Sequence, residues 1–334
     1  MNTMRKKIVL FVCLILASLN LMAATRATIL LLHNGNATSF DNNQLSDAMA
    51  AATHGDTIYL SEGAFDVDTL IVDKVVSIIG AGEMTKVRGD VHIGIDDNPH
   101  TTNNMFDAID IQGDVKVIKE LRGLKFKKCK MKMFWASANV TDVYMDRCNI
   151  YTFLTVQTIK SAIVVNSYIS SLGEYYSSNS SLYPRELGVT SGGNDLNFIN
   201  CTIYTIVGNS LGEKRVFPRD ASFVNCNIRD YSTTDTNANN SFSYTLLGRE
   251  KQYISSSCSY DNCYFVDPVT YNKITEEEYL AKGYLGNDGT IVGYKGGATP
   301  YSLVPSGYNV SESLFKIDTE KKILNVTLKI SDNQ

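Results

Sequence analysis

The stretch LNFINCTI at residues 196–203 returns as ASFVNCNI at residues 221–228. Both stretches read apolar, any, apolar, any, Asn, Cys, any, apolar. Four further copies, with substitutions at the Asn and Cys positions, occupy residues 124–131, 143–150, 162–169 and 258–265. A pattern that recurs every 19 to 37 residues indicates one structural unit stacked on itself.

Two positions of this pattern recur in every copy and receive names. The thiol position is the Cys-like residue: Cys129, Cys148, Ser167, Cys201, Cys226 and Cys263. The corner position is the residue before it: Lys128, Arg147, Asn166, Asn200, Asn225 and Asn262.

The pattern contains a change of parity that one flat strand cannot have. The residue three before each thiol position is apolar, and the thiol-position residue is small or apolar, so both should face inward. In a continuous strand these two residues would point to opposite faces. Asn tolerates the left-handed backbone region better than most residues. We therefore expect each copy to be two short strands joined at a one-residue corner.

Strand, corner, strand and loop, repeated in phase, predict an all-β fold, a right-handed parallel β-helix. The alternative is a β-sandwich, whose strands also recur at short intervals. A sandwich does not require the same residue types at one phase, so the β-helix is favoured. The cysteines of the thiol position should then stack inside the coil at about 4.8 Å per turn.

The predicted organisation has three parts. Residues 1–24 form an export signal, with Arg5, Lys6 and Lys7 before an apolar run and a small-residue exit at Ala23 and Ala24. Residues 36–267 form the β-helix, which begins with a capping helix at 42–52 whose Leu45, Ala48, Met49 and Ala52 repeat at helical spacing. Residues 268–334 form a C-terminal cap, with helical character near 274–282 and two alternating strands near 314–317 and 323–330.

Export, to the periplasm, the outer surface or the medium, affects how the cysteines are interpreted. Cys13 lies inside the apolar run after Val12, which favours soluble export over a lipid anchor. An oxidising compartment permits disulfides, and the candidate pairs are Cys129–Cys148 and Cys201–Cys226. The alternative, which we favour, is that these residues and Cys258 and Cys263 are small core residues. No metal-binding spacing is present in the column.

The chain has 334 residues and a net charge of −4, with basic residues scattered rather than in a stripe. This argues against a nucleic-acid partner. The dense run Lys125, Lys127, Lys128, Lys130 and Lys132 alternates with apolar residues, so we expect it to be a solvated face of the early turns.

Two segments of the sequence resemble a known family. GDTIYLSEGAF at 55–65 with VVSIIGAG at 75–82 resembles the opening of pectin-lyase-like right-handed β-helix proteins. DGTIVGYKGGATPYSLVP at 288–305 resembles the closing segment of secreted β-helix proteins from gut Bacteroidota. The resemblance covers about residues 36–310 and implies the fold. The catalytic motifs of the family's hydrolases and lyases are absent from the sequence, so it assigns no catalytic residue.

Three functions stay open at this level. The first is non-catalytic binding of a polysaccharide or cell-surface glycan by residues of three predicted loops, 172–194, 208–220 and 229–257. Aromatic rings there could stack on sugars and Arg could pair with uronate carboxylates. The candidates are Tyr175, Tyr176, Tyr183, Arg185, Arg215, Phe217, Arg219, Tyr244 and Arg249.

The second function is a polysaccharide lyase acting by β-elimination on uronate-containing glycans. This reaction needs a base, a cation beside the developing enolate and an acid for the leaving oxygen. Lys214 or Arg215 would be the base, Arg219 the carboxylate clamp, and Tyr183 or Tyr244 the acid. No cofactor is expected, except Ca²⁺ if the protein is a lyase. The third function is a structural or adhesive surface protein, and no transmembrane segment is expected in the exported chain.

Overall fold

A computed structural model describes residues 27–95, 104–154, 158–173, 195–206, 218, 220–231, 239–249 and 257–301, and the backbone of 309–318 and 323–331. From residue 57 onward the chain alternates between two large sheets, and each strand pairs in parallel with the strand two further along. This is the predicted right-handed parallel β-helix. We call the twelve-stranded sheet, which contains the residues before each corner, sheet A, and the ten-stranded sheet after each corner sheet B.

The strands of sheet A are β1 (Thr28–His33), β2 (Asn36–Asp41), β3 (Thr57–Leu60), β5 (Ser77–Gly80), β7 (Asn104–Asp107), β9 (Leu121–Lys127), β11 (Val140–Asp146), β13 (Ser161–Val165), β15 (Asp195–Ile199), β17 (Ser222–Val224), β19 (Ser241–Ser243) and β21 (Ser259–Asp261). The strands of sheet B are β4 (Gly63–Val72), β6 (Thr85–Ile93), β8 (Asp110–Val117), β10 (Lys130–Ala136), β12 (Asn149–Phe153), β14 (Tyr168–Leu172), β16 (Thr202–Ile206), β18 (Asn227–Tyr231), β20 (Leu246–Leu247) and β22 (Tyr264–Phe265). The described helices are α1 (Leu45–Ala51), α2 (Pro268–Tyr271) and α3 (Glu277–Lys282), and β23 (Asn309–Asp318) pairs with β24 (Ile323–Ser331) in an antiparallel hairpin.

The one-residue corner is confirmed at every copy of the pattern. All six corner residues have φ between +48° and +55°. Two more residues share this conformation at the same phase, Ala108 before β8 and Tyr244 before β20. Because one left-handed residue reverses the alternation, side chains on both sides of the corner face the core.

The predicted loop at 229–257 is wrong in part, because it contains a further turn of the coil. β19 pairs with β17 and β21, and β20 pairs with β18 and β22. Tyr244 occupies the corner position of this turn and Thr245 the thiol position. Neither residue matches the Asn-Cys signature, so the sequence pattern did not show the turn.

The core is a stack of the same columns from turn to turn. The position three before the thiol position carries two runs of stacked rings, separated by Met145 and Val164. The centroid separations are 5.0 Å for Phe106–Phe126, 5.0 Å for Phe198–Phe223 and 4.9 Å for Phe223–Phe242. These separations follow from the spacing of parallel strands and suit offset stacking of aromatic rings.

The thiol position is a column of hydrogen-bond donors as well as a column of small side chains. Cys201 Sγ donates to Val164 O at 3.3 Å, and Cys226 Sγ donates to Phe198 O at 3.4 Å. Thr245 Oγ1 makes the equivalent bond to Phe223 O at 3.2 Å. All six cysteines from Cys129 onward are free thiols, so the two candidate disulfides are not formed. Five of them are buried core residues, as favoured, whereas Cys263 is half-buried.

The helix predicted near residues 42–52 is present as α1. Leu45, Ala48 and Met49 are buried on one face of the helix, which packs against β4 and β1. The helix begins later than the sequence suggested, because Gln44 lies at its N-cap and uses its side chain to accept the Asp41 N–H at 3.0 Å.

The lysine-rich run lies mostly on the outer surface of the early turns. The expectation is wrong for Lys128, which is a corner residue and only 6% exposed. Lys130 Nζ is 3.8 Å from Asp110 Oδ2, and Lys132 Nζ is 3.6 Å from Asp114 Oδ1. The positive charges are therefore partly compensated by acids on the neighbouring strand.

The corner conformation can be tested at Asn200, where φ is +51°. Asn200→Val and Asn200→Gly both remove the amide, but only valine is strained in the left-handed region. We expect Asn200→Val to be less stable than Asn200→Gly by about 1–2 kcal/mol in urea unfolding. Equal stability of the two variants would contradict the assigned corner.

The thiol column predicts very slow alkylation of the folded protein. Burial is the main cause that raises the pKa of Cys148 to about 12 and the pKa values of Cys129 and Cys226 well above the usual range. Iodoacetamide at neutral pH should label half-buried Cys263 and spare these three, as mapped by mass spectrometry. All of them should react in denaturant without reductant, and a cysteine that stays unlabelled there would indicate a disulfide.

Candidate functional site

The outer face of sheet B carries a row of side chains along the coil axis. The residue three after the thiol position faces solvent because the residue before it, such as Ile150 or Ile203, is buried in the core. Strand register places four of these residues side by side: Tyr151, Ser170, Tyr204 and Arg229, on β12, β14, β16 and β18. Tyr151 is 65% exposed and Tyr204 is 43% exposed.

These residues form an open groove of about 530 Å³ across three strands. Its lining residues are Tyr151, Thr152, Tyr168, Ser170, Ser171, Tyr204 and Thr205. Tyr151 and Tyr204 stand on either side of the small Ser170, two strand spacings or about 10 Å apart. The lining thus combines aromatic rings with hydroxyl groups and contains no carboxylate.

Arg229 gives one end of the groove a positive charge. Its guanidinium carbon lies 4.2 Å from the centroid of the Tyr204 ring, within the range of a cation–π contact. Within the part of the chain that the structure describes, no carboxylate forms an ion pair with Arg229. Among the described residues, the cation is therefore held at the groove by an aromatic face.

A second group of polar residues lies on the same face of sheet B, on β6, β8 and β10. The Asp114 N–H donates to Asp90 Oδ1 at 2.9 Å, and Lys116 Nζ lies 4.3 Å from the centroid of the Trp135 ring. Burial, with the nearby Asp90 charge, raises the pKa of Asp114 despite the opposing Lys132. Burial and then Lys116 lower the pKa of His92. The group therefore places like charges side by side on neighbouring strands, Asp90 beside Asp114 and His92 beside Lys116.

Neither group has the composition of a metal centre. Among the described residues, no three or more His, Cys, Asp or Glu side chains are grouped so that they could hold a metal ion. The helices seen in the same part of the chain are too short or too polar to cross a membrane.

Most of the site residues predicted from the sequence lie outside the described residues: Tyr175, Tyr176, Tyr183, Arg185, Lys214, Arg215, Phe217 and Arg219. Tyr244 and Arg249 are described. Tyr244 is the half-buried corner residue before β20, and Arg249 follows the other end of β20, where its Nη1 lies 3.4 Å from Asp230 Oδ1. Tyr244 is therefore a structural corner residue, separated from Arg249 by the length of the strand.

The tyrosines of the groove were missed because the sequence search for a site was confined to loops. The signal was present in the repeat itself: the position three after the thiol position must face outward, and it carries Tyr in two copies, at Tyr151 and Tyr204. An aromatic residue at an outward position of a rigid strand gains nothing from core packing. Such positions should therefore be examined first in a solenoid.

No protein-family model, no curated protein and no solved structure matches this chain.

The raised pKa of Asp114, on β8, predicts that the stability of the protein depends on pH. Since the pKa of Asp114 lies above its ordinary value of 3.8, the folded state is favoured at low pH. That advantage is lost as the pH rises through the folded-state pKa. Asp114→Asn should be more stable than the parent protein in urea at pH 7, and the gain should shrink towards pH 3.

The control for that comparison is Asp66→Asn, which removes an exposed acid 3.6 Å from Arg88 on the same face. An Asp114→Asn variant that is less stable than the parent at pH 7 would show that the Lys132 contact outweighs burial.

Proposed function

We propose that this protein is an exported, non-catalytic β-helix protein that binds polysaccharide along the outer face of sheet B. The observation that carries the proposal is the pair Tyr151 and Tyr204, exposed on either side of Ser170 in one groove. A pyranose ring has apolar C–H faces and a rim of hydroxyl groups. Tyrosine rings match the faces, and Thr and Ser hydroxyls match the rim.

The direction of the row supports an extended ligand. Tyr151, Ser170, Tyr204 and Arg229 follow one another along the coil axis at one strand spacing each. A linear glycan lying along the axis would contact several turns at once. Because a solenoid repeats its surface at each turn, such a ligand meets a regular series of contacts.

Arg229 favours an acidic sugar at one end of the groove. Its fixed guanidinium could form two parallel hydrogen bonds to a uronate carboxylate. The resemblance to pectin-lyase-like proteins and to secreted proteins of gut Bacteroidota agrees with a plant or microbial glycan as ligand. The export signal at residues 1–24 would bring the protein to that ligand.

The lyase alternative gains no support from the described contacts. Its base and its carboxylate clamp, Lys214 or Arg215 and Arg219, lie outside the described residues, and Tyr244 serves as a corner. The groove itself holds no acid or lysine among its lining residues. A structural or adhesive role needs no groove, and binding accounts better for two exposed tyrosines at one site.

The proposal is tested by binding to pectin, alginate, xylan and galactomannan in affinity gels and calorimetry. Tyr151→Ala and Tyr204→Ala should each weaken binding about tenfold, which corresponds to about 1.4 kcal/mol. Tyr59→Ala is the matched control, since Tyr59 is 36% exposed on the outer face of sheet A. Arg229→Gln should weaken binding of the acidic glycans and leave the neutral ones unchanged.

Two outcomes would contradict the proposal. If the parent protein binds none of the four polysaccharides, or if Tyr59→Ala weakens binding as much as Tyr204→Ala, the groove is not the site. Absorbance from an unsaturated uronate product during incubation with pectin or alginate would replace binding with the lyase alternative.

A further inference from the structure

Residues 284–301, here called the strap, run back along the corners of the coil. Asn225 and Asn287 exchange two hydrogen bonds, Asn225 Nδ2 to Asn287 Oδ1 at 2.8 Å and Asn287 N to Asn225 Oδ1 at 2.9 Å. Further along, Asn166 Nδ2 donates to Thr299 Oγ1 at 3.1 Å. The strap therefore crosses three successive turns, at the corners Asn225, Asn200 and Asn166.

The glycines of the strap allow this close approach. A Cβ atom at Gly293 would lie 2.6 Å from Thr202 Oγ1, and one at Gly297 would lie 2.3 Å from Asn200 Nδ2. Both glycines have positive φ, +95° and +78°. Only glycine fits the backbone conformation and the space at these two points. The Gly-rich segment is thus a fitted part of the fold.

The strap brings one aromatic residue into contact with a tyrosine that lines the groove. Tyr294 N donates to Thr202 Oγ1 at 3.2 Å, which anchors the residue beside the first residue of β16. Its ring meets the ring of Tyr168 edge to face, with centroids 5.7 Å apart. Tyr168 lines the groove, whereas Tyr294 does not.

Tyr294 is itself held firmly. It is 7% exposed, its ring centroid lies 5.5 Å from that of Tyr301, and its carbonyl accepts the Tyr301 N–H at 2.8 Å. The next residue, Lys295, forms an ion pair with Glu276 at 2.5 Å. The ring that contacts Tyr168 therefore has little freedom to move away.

We infer that Tyr294 is a positioning residue for the groove. The strap holds Tyr294 in place, and the Tyr294 ring fixes the orientation of the Tyr168 ring. The inference rests on the proposed function for its effect on glycan binding. Because a ligand in the groove and the strap would both contact Tyr168, their binding is coupled. A glycan in the groove stabilises the attached strap, and the attached strap raises the affinity for the glycan by the same factor.

The test compares Tyr294→Ala, Tyr294→Phe and Val292→Ala. Phenylalanine keeps the ring that contacts Tyr168. Val292 is a buried strap residue in the cluster with Tyr271 and Tyr279, so its truncation removes buried contacts elsewhere in the strap and keeps the Tyr294–Tyr168 contact. Thermal unfolding of the three variants shows that each is folded at the temperature of the binding measurement.

The first readout does not depend on any ligand. Nitration of tyrosines by tetranitromethane, mapped by mass spectrometry, should be at least threefold faster at Tyr168 in Tyr294→Ala and unchanged at Tyr151. Tyr294→Phe and Val292→Ala should leave both rates at the parent values. Equal rates at Tyr168 in Tyr294→Ala and the parent, or the same increase in Val292→Ala, would overturn the inference.

The second readout is affinity for the polysaccharide of the panel that the parent protein binds most tightly. Tyr294→Ala should weaken it about threefold to tenfold, the range expected for loss of one aromatic pair, and Tyr294→Phe should stay within twofold of the parent. Unchanged affinity in Tyr294→Ala would overturn the coupling. If the parent binds no polysaccharide, the proposed function fails, while nitration still decides whether Tyr294 positions Tyr168.

Discussion

The left-handed corner residue is the constraint on which the whole structure depends. One residue with φ near +50° at each turn ends a strand of sheet A and starts a strand of sheet B. It also makes the residues on both sides of the corner face the core, which a flat strand forbids. Since the corner recurs at one phase, the turns stack in register. This register aligns the columns of core residues inside the coil and the rows of exposed residues on its outer faces.

The stacked columns then set what each position requires. At the thiol position, Cys, Ser or Thr is small enough to fit behind the corner and still donates a hydrogen bond to a main-chain carbonyl. Cys201, Cys226 and Thr245 donate to the previous turn, and Ser167 Oγ donates to Val165 O of its own turn at 2.7 Å. This explains why Ser167 and Thr245 can replace cysteine there, whereas a purely apolar column would favour Val or Ala. The side-chain donor at the thiol position gives a buried main-chain carbonyl a further hydrogen bond, and its own polar group is not left without a partner. The cysteines are therefore understood by their hydrogen bonds and not by disulfide chemistry.

The sequence predicted the fold because the repeated pattern contains the change of parity that a corner requires. The prediction failed at the turn in which other residue types replace Asn and Cys. The turn of Tyr244 and Thr245 was hidden, since tyrosine is unusual in the left-handed region and only the phase reveals it. The candidate site was predicted least well. Loop residues such as Arg185 and Arg219 attract attention by composition, but the groove of Tyr151, Ser170 and Tyr204 arises from register across three turns separated by 19 and 34 residues. Register between distant segments is a tertiary property, so it becomes visible only once the corners are aligned.

The same asparagines that permit the corners also explain why the Gly-rich strap belongs to this fold. An Asn at a corner presents its amide outward at each turn, and three such amides in line form a track for another segment of backbone. Asn225 and Asn166 bind the strap through their side chains, and Gly293 and Gly297 give it the room to lie against that track. Lys128 and Arg147 occupy the two corners that precede Asn166 in the sequence. No described hydrogen bond joins the strap to these two corners, so an amide there would gain nothing from it. The strap passes β16, where Tyr294 N donates to Thr202 Oγ1, and this places the Tyr294 ring against the ring of Tyr168. Asn occupies these corners because it tolerates the left-handed backbone conformation. Its side chain also binds the strap, and in this way the corner residues determine what surrounds the groove on sheet B.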